Sequence, residues 1–310
     1  MPRFTSRTLV TLAFTLVVWA SAFAGIRAGL RGYSPANLAI VRFLVASLVL
    51  AVYAVVAHFR RPELRDIPGL VLTGAIGITF YNLAVNYGET RVTAGAASLL
   101  IASTPIWTAL AARFWLHEKL TVMGWCGVFV SFAGVAMIAA GESGGLRLSV
   151  QALFILAAAV TSALYMILQK HYLGRYSALE VTAYSVWFGT ALMLPFGSGL
   201  LQTLRSAPGA TTLAVIYLGV FPGALAYVGW AYVISHGSPG RTSTLLYIIP
   251  IVAIGIAWIW LGEVPRAISL VGGGIALGGV VMVNTVGKRK LDKVSSGQLA
   301  VSEYRQAREG

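Results

Sequence analysis

The sequence is short of charge, above all of negative charge. Only 11% of its 310 residues are charged and ten residues are acidic, whereas 57% are hydrophobic. About a quarter of the residues of a soluble domain are charged, so this chain has too little polar surface to cover a water-soluble particle. A mean hydropathy of +0.79 agrees with this. The composition therefore excludes an ordinary soluble domain.

Cysteine clusters and nucleotide-binding motifs are missing. The single cysteine, Cys126, excludes a disulfide within the chain, and no Cys/His spacing typical of a metal site occurs. No GxxxxGK[ST] motif is present, so the chain itself is not a nucleotide-driven pump. No metal, cofactor or nucleic-acid partner is predicted. The net charge of +13 comes from basic residues between apolar runs, where such charges orient membrane helices.

Long apolar runs fill most of the chain. A bilayer core needs about 20 apolar residues per helix, and the sequence predicts ten such spans in two sets of five. They lie at 9–30, 35–57, 67–87, 94–116, 121–140, 150–171, 178–197, 211–235, 240–261 and 266–286. The start of the chain resembles a secretory signal, but its apolar run continues past Ala24 to Leu30, which favours a retained first span. Residues 288–310 are predicted to be a disordered cytoplasmic tail.

Lysine and arginine are distributed unevenly between the two sides of these spans. Of 23 such residues, sixteen fall on the side of both termini and six on the other, with Arg42 inside a span. Cytoplasmic loops carry the excess of basic residues. We therefore expect cytoplasmic termini, cytoplasmic loops at 58–66 and 172–177, and external loops at 141–148 and 262–266.

The second half of the sequence repeats the first. A shift of 145 residues aligns landmarks of several residue types without a gap across spans 3–5 and 8–10. The aligned pairs include Gly74 with Gly219, Pro105 with Pro250, Glu118 with Glu263, Gly127 with Gly272 and Gly134 with Gly279. The chain thus divides into units 1–145 and 146–287. Five spans is an odd number, so the second unit is inverted in the membrane, which places a binding site near the midplane between the halves.

The pattern G-x-x-S, then P, then (W/F)-L-x-E, then two glycines, present twice, resembles the EamA unit of the drug/metabolite transporter superfamily. The resemblance covers roughly residues 9–286. Within that superfamily the chain most resembles the bacterial aromatic amino-acid exporters of the YddG type. The resemblance implies an all-α protein of the bacterial inner membrane, with ten transmembrane helices in two inverted repeats, that exports small organic solutes such as amino acids.

Polar and aromatic residues deep in the spans are the candidate substrate-binding residues. A buried amide or phenol is costly in a membrane unless it faces the bundle interior, and aromatic rings around a cavity suit a flat, partly apolar cargo. The predicted set is Trp19, Ser21, Arg42, Tyr81, Asn82, Ile101, Thr104, Tyr165, Tyr227, Leu246 and Tyr247. The alternative for each member is interhelical packing.

Two prolines and one arginine stand out within the spans. Pro105 and Pro250 each remove a backbone donor and kink their helix, which frees the carbonyls of Ile101 and Leu246. Either bend is a packing kink or a contact with cargo. Arg42 is the one charge well inside a span. It binds a cargo carboxylate, extends toward the membrane surface or bonds free backbone carbonyls.

Other patterns concern helix ends and helix contacts. Glu118 and Glu263 end spans 4 and 9, where we expect them to order a loop and cap the next helix. Small residues recur in spans 5 and 10 and allow close approach of helices. They are Gly127, Ser131, Gly134, Gly272, Ala276 and Gly279. Pairing of these spans within one chain is favoured, so we expect a monomer, with a homodimer as the alternative.

No aspartate or glutamate lies in the middle of a predicted span, and this absence limits the possible functions. Catalysis would need an acid, base, nucleophile or metal cluster at membrane depth, and the sequence has none, so an enzyme is not predicted. A phosphate-bearing cargo would need several basic residues in the pocket, which are also missing, so a nucleotide-sugar carrier is not predicted. Proton-driven carriers usually keep an acid within the membrane. We therefore predict an amino-acid exporter that acts as an uncoupled facilitator. The alternative is a proton-coupled drug or metabolite efflux carrier of broad specificity.

Overall fold

A computed structural model describes residues 5–115, 121–142, 149–236 and 245–285, and within these ranges all regular structure is helical. The predicted tail and Glu118 lie outside the described residues. The α-helices are α1 Ser6–Gly29, α2 Pro35–Val56, α3 Ile67–Gly74, α4 Tyr81–Gly88, α5 Ala94–Ile101, α6 Thr104–Trp115, α7 Val122–Glu142, α8 Val150–Lys170, α9 Ala178–Met193, α10 Leu200–Ser206, α11 Gly209–Val220, α12 Ala226–His236, α13 Ile249–Leu261 and α14 Ala267–Thr285. Hydroxyl side chains at Thr5, Ser34, Thr93, Ser149 and Ser177 cap the first turns of α1, α2, α5, α8 and α9.

Eight helical segments among the described residues are long and apolar enough to cross a bilayer. They are Ser6–Gly29, Pro35–Val56, Ile67–Gly88, Ala94–Ala111, Val122–Glu142, Val150–Lys170, Gly209–Val233 and Ala267–Thr285. The other two predicted spans correspond to the shorter helices α9 and Leu246–Leu261. Large apolar side chains such as Val55, Phe129 and Ile259 are exposed on the outer surface. The chain is therefore an all-helical, multi-pass membrane protein.

The two prolines stand just after breaks in their helices. α5 ends at Ile101, and Pro105 is the second residue of α6. The carbonyl oxygen of Ile101 accepts a hydrogen bond from Thr104 Oγ1 at 2.7 Å, so the side chain replaces the donor that proline lacks. In the second half, the 3-10 turn Leu245–Ile248 precedes α13, whose second residue is Pro250. The equivalent positions therefore break equivalent helices.

The closest helix pair joins the two halves. α7 and α14 run antiparallel, because a Cβ on Gly127 would lie 2.8 Å from Gly279 O, whereas one on Gly272 would lie 2.7 Å from Gly134 O. Between these contacts, Ser131 Oγ donates to Ala276 O at 2.8 Å. Residue 276 is the equivalent of residue 131 at the shift of 145. The predicted stripe of small residues thus pairs within one chain around a local two-fold axis, in the manner of an isologous interface.

The remaining contacts interleave the two halves. α3 packs against α9 of the second half, and α11 packs against α2 of the first. α1 packs against α11, α12 and α13, while α8 packs against α4, α5 and α6. Each half therefore provides two helices that lie against the third and fourth spans of the other. This exchange puts α1, α2, α4, α8 and α12 around one shared interior.

Candidate functional site between the two halves

Two π-helical segments occupy equivalent positions in the two halves. Ala75–Phe80 joins α3 to α4, and Phe221–Leu225 joins α11 to α12. A π turn is wider than an α turn and is frequent at functional sites. Tyr81 follows the first segment directly, and Tyr227 follows the second by two residues. The π segments thus set the direction of the two candidate tyrosines.

An aromatic group surrounds Tyr227. Its ring meets the edge of Trp19 with centroids 5.6 Å apart, and Trp19 also contacts Trp230 at 5.4 Å. Trp19 belongs to α1 of the first half, whereas the other two residues belong to α12 of the second. Ring separations of about 4.5–7 Å are those that aromatic pairs prefer. The predicted residues Trp19 and Tyr227 are therefore brought together between the halves.

Arg42 is next to Phe43, which belongs to the buried cluster against which Tyr227 packs. Its side chain is 7% exposed, its Nε has no hydrogen-bond partner, and its guanidinium carbon lies 5.1 Å from the ring centroid of Phe43. The groups that interact with it electrostatically are Tyr227, Tyr81 and Glu89. A buried cation with spare donors is a ready partner for an anion. Arg42 does not extend to the surface.

Tyr165 and Asn82 line the same interior from α8 and α4. The ring of Tyr165 lies against the backbone of Gly77, within the first π segment, where a Cβ would overlap it. Its hydroxyl is buried without a hydrogen bond, and Thr182 and Ser185 are polar neighbours. Asn82 Nδ2 donates to Ile78 O at 2.8 Å, so that amide satisfies a carbonyl of the π segment. The Asn82 side chain thus stabilises the π segment that directly precedes Tyr81.

The structure places four predicted residues in other contacts. Ser21 Oγ lies 2.6 Å from Tyr217 OH and donates to Val18 O, which makes it a link between α1 and α11. The hydroxyl of Thr104 donates to the carbonyl of Ile101, and Ile101 packs against the same cluster as Tyr81. Leu246 packs on Leu12 and Leu16 of α1, and Tyr247 packs against α7 and α14, where it accepts from Asn284. The contacts of these four residues depend on how the helices pack, which the spacing of residues in the sequence does not predict. Tyr247 thus lies against α7 and α14, whereas Tyr227 lies against Trp19 of α1.

The far end of the bundle, where α1 ends at Gly29, is closed by a salt bridge. Arg27 Nη2 lies 2.7 Å from Glu263 Oε1, and Arg27 Nε donates to both oxygens of that carboxylate. Arg27 Nη1 donates to Glu89 O at 2.7 Å, and Ala94 N donates to Glu263 Oε2 at 3.5 Å. The Glu263 carboxylate therefore bonds the start of α5, with Arg27 as its cation, rather than the start of the next helix, α14, as the sequence predicted.

The near end, where α1 begins at Ser6, contains a cavity of about 690 Å³. Its lining comes from α1, the end of α2, the start of α9 and α12, and includes Arg7, Thr11, Tyr53, His58, Arg60 and Glu180. It extends along α12 to Val228, next to Tyr227. The described residues thus place a cavity at the near end of the bundle and a salt bridge at the far end.

Both halves match the same family. The profile of the EamA-like transporter family matches residues 7–140 and 150–285. The chain belongs to this family. The match confirms the twofold repeat, and the family and its relatives are transporters, not enzymes.

Similar proteins extend over nearly the whole EamA-like chain. A protein of Streptantibioticus cattleyicolor, "Probable terminal-alkyne amino-acid exporter", is 40% identical over 92% of this chain and 96% of its own. "Uncharacterized transporter YdfC" of Bacillus subtilis is 38% identical over 90% and 92%. One solved crystal structure superposes with a TM-score of 0.59 over 90% of this chain and 96% of that chain. At 19% identity, it shows the shared fold alone.

Glu89 is a buried acid of the transporter that sequence reasoning missed. It caps the end of α4 next to a turn and therefore resembles a loop residue, but its side chain is 0% exposed and neither carboxyl oxygen has a partner. Burial raises its pKa well above the usual range, and the nearby charges of Arg27 and Arg42 offset this only in part. No sequence pattern signals this burial, because it depends on the approach of α1.

A second missed network links two loops at the near end. Asp66 pairs with Arg175 and accepts a hydrogen bond from Tyr176 OH at 2.9 Å. Burial alone would raise the pKa of Asp66, but the bonds from Tyr176 and Arg175 outweigh it and hold the pKa below its usual value. The network places the loops before α3 and before α9 on the same side, as the charge distribution predicts.

The lowered pKa of Asp66 predicts an acid-sensitive stability. A depressed folded-state pKa stabilises above the unfolded pKa, and this contribution is lost as pH falls through the folded value. We expect the unfolding midpoint of purified protein to drop as the pH falls below about 5, and to drop less in Asp66→Asn. Glu63→Gln, which removes an exposed ion pair with Arg65, is the control. Parallel pH curves for wild type and Asp66→Asn would contradict this role.

Metal-binding groups of three or more His, Cys, Asp or Glu side chains are not found in the part of the chain that the structure describes. The chemistry of the interior is therefore that of one cation, one acid, phenols and indoles among apolar residues. Such a set can bind and orient a small molecule.

Proposed function

We propose that this transporter exports neutral amino acids, aromatic ones included, from the bacterial cytoplasm. The observation that carries the proposal is the burial of Arg42 between two clusters: Tyr81 packs against the cluster that contains Val41, and Tyr227, from the other half of the chain, packs against the cluster that contains Phe43. A guanidinium suits a carboxylate, and the aromatic rings suit the side chain of the cargo. The relative named as an amino-acid exporter supports the same class of cargo.

We propose alternating access between two inverted five-helix repeats as the mechanism. The antiparallel contact of α7 with α14 supports the inversion, and α9 and Leu246–Leu261 would complete ten spans. A cavity at the near end and a salt bridge at the far end fit one of the two end states of such a cycle. The stripe of small residues forms the contact between α7 and α14 of the same chain, which supports a monomer rather than a homodimer.

The orientation of this cycle can be tested by cysteine labelling. The excess of basic residues at the near end predicts that this end is cytoplasmic. In a Cys126→Ala background, we expect an impermeant maleimide added to intact cells to label Val264→Cys at the far end and to spare Leu64→Cys at the near end. Both positions are exposed, so access to reagent decides the result. The reverse pattern would overturn the orientation.

Energy coupling is the second part of the proposal. A zwitterionic amino acid has no net charge, and none of the ten acidic residues lies in the centre of a predicted span. We therefore propose an uncoupled facilitator driven by the amino-acid gradient. Purified protein in liposomes is expected to equilibrate a panel of neutral amino acids at the same final level with and without an imposed pH gradient.

The same liposomes distinguish the alternative. Accumulation above equilibrium that an uncoupler abolishes would indicate a proton-coupled carrier, with Glu89 as the first acid to examine. Transport of dyes or drugs without any amino acid would favour a broad efflux carrier. Either result overturns the corresponding part of the proposal.

A further inference from the structure

Two buried ionisable side chains, one basic and one acidic, lack an ion-pair partner among the described residues. Arg42 is 7% exposed with a free Nε, and Glu89 is 0% exposed with both carboxyl oxygens free. Ion pairs of 4.0 Å or less are found for neither residue in the described ranges. An unpaired buried charge is strongly destabilising. We therefore expect these two buried groups to bind a ligand that is present only during part of the transport cycle.

Both side chains lie near the same end of the bundle. Arg42 is seven residues after the start of α2, about 10 Å along the helix axis, and helical side chains lean toward the helix N-terminus. Glu89 caps the neighbouring end of α4, and Asn86 Nδ2 donates to Pro35 O across that contact at 2.9 Å. Arg42 and Glu89 interact electrostatically without forming an ion pair. No nitrogen–oxygen pair of 4.0 Å or less joins the two side chains, so a link between them needs a bridging group.

Other charges at this end are already engaged. Arg27 is the cation with the largest electrostatic effect on the Glu89 side chain, but its guanidinium bonds Glu263 and the backbone carbonyl of Glu89. Glu142 accepts from Thr93 N and Ser269 Oγ. These groups hold the closed end together and leave Arg42 and Glu89 free for another ligand.

We propose that Arg42 and Glu89 form a zwitterion-binding pair, in which Arg42 binds the α-carboxylate of an amino acid and Glu89 binds its α-ammonium. The side chain of the cargo then points along α4 toward Tyr81 and Tyr227. This assignment rests on the proposed function and deepens it, because it makes the cargo class a molecule with both charges. A site that bonds both groups rejects analogues that lack either one, since a buried charge is then left unpaired.

The test compares phenylalanine with phenethylamine, which lacks the carboxylate, and 3-phenylpropionate, which lacks the ammonium. Each competes with labelled phenylalanine in liposome counterflow, and each is also added to purified protein during thermal unfolding. In wild type, we expect phenylalanine to compete roughly tenfold or more better than either analogue. Arg42→Gln should abolish the discrimination against phenethylamine and keep that against phenylpropionate. Glu89→Gln should do the opposite.

Control variants make the same substitutions at exposed positions. Arg91→Gln at the far end and Glu63→Gln at the near end should keep wild-type discrimination. Arg42→Lys and Glu89→Asp retain the charges and should keep the pattern with weaker binding, which covers the case in which a glutamine variant does not fold. Wild-type discrimination in both glutamine variants would overturn the pair.

Failure of the proposed function gives a different result. If wild type transports no amino acid, the unfolding midpoint still reports binding. Stabilisation by phenylalanine alone, lost in Arg42→Gln and in Glu89→Gln, supports the pair even then. Equal stabilisation by all three compounds, or by none, overturns it.

Discussion

Gly279→Ala is expected to destabilise the folded protein, whereas Gly278→Ala is not. A Cβ at position 279 would lie 2.5 Å from Gly127 O and 2.6 Å from Ser131 N. These are backbone atoms of α7, so no side chain can move aside and the two helices must separate. Overpacking of this kind costs about 1–3 kcal/mol or more, and separation also strains the bond from Ser131 Oγ to Ala276 O.

Gly278 is the adjacent residue of the same helix, and a Cβ there meets nothing within 4 Å. Alanine favours a helix over glycine by roughly 0.5–1 kcal/mol, so Gly278→Ala should be neutral or slightly stabilising. The midpoint of thermal unfolding in detergent, followed by size-exclusion chromatography, measures both variants. Equal midpoints for the two variants would show that α7 and α14 do not pack around these glycines.

Tyr81→Ala and Tyr227→Ala are expected to impair amino-acid transport without preventing folding. Tyr227 loses its edge contact with Trp19, and both variants remove a phenol next to Arg42. Loss of one aromatic or hydrogen-bonding partner costs on the order of 1 kcal/mol or more, which corresponds to about a fivefold loss of transport efficiency. Initial rates in liposomes at low substrate concentration report this loss.

Tyr87→Ala is the matched control for these variants. Tyr87 is also on α4, but it is exposed and contacts only the ring of Phe154 among the described aromatic pairs. Asn82→Ala should also impair transport, through the shape of the π segment rather than by direct contact, because the amide bonds Ile78 O. Normal transport of every amino acid by all three interior variants would contradict the site.

The repeat and the close helix pair could be predicted because glycine and proline encode backbone geometry directly. Gly134 and Gly272 permit backbone contact whatever their neighbours are, and Pro105 interrupts its helix wherever it lies. Such residues keep their effect when a sequence is read alone.

The charged contacts could not be predicted in the same way. Arg27 and Glu263 are 236 residues apart, and their salt bridge exists only because α1 reaches the loop before α14. Glu89 resembled a solvated loop acid until the structure showed it buried. The π segments have no clear sequence signature, although they set the direction of Tyr81 and Tyr227. The contact of Tyr247 with Asn284 could not be predicted either, because a small rotation of the helix decides whether the side chain faces the interior or a neighbouring helix.

Counterflow of phenylalanine tests the central claim most directly. Liposomes that contain the purified protein are loaded with excess unlabelled phenylalanine and diluted into labelled phenylalanine without any ion gradient. A carrier that alternates around one site exchanges the two pools, so we predict transient, saturable accumulation of label above that in protein-free liposomes. Uptake no greater than in protein-free liposomes, for phenylalanine and for every other neutral amino acid tested, would contradict the assignment as an amino-acid exporter.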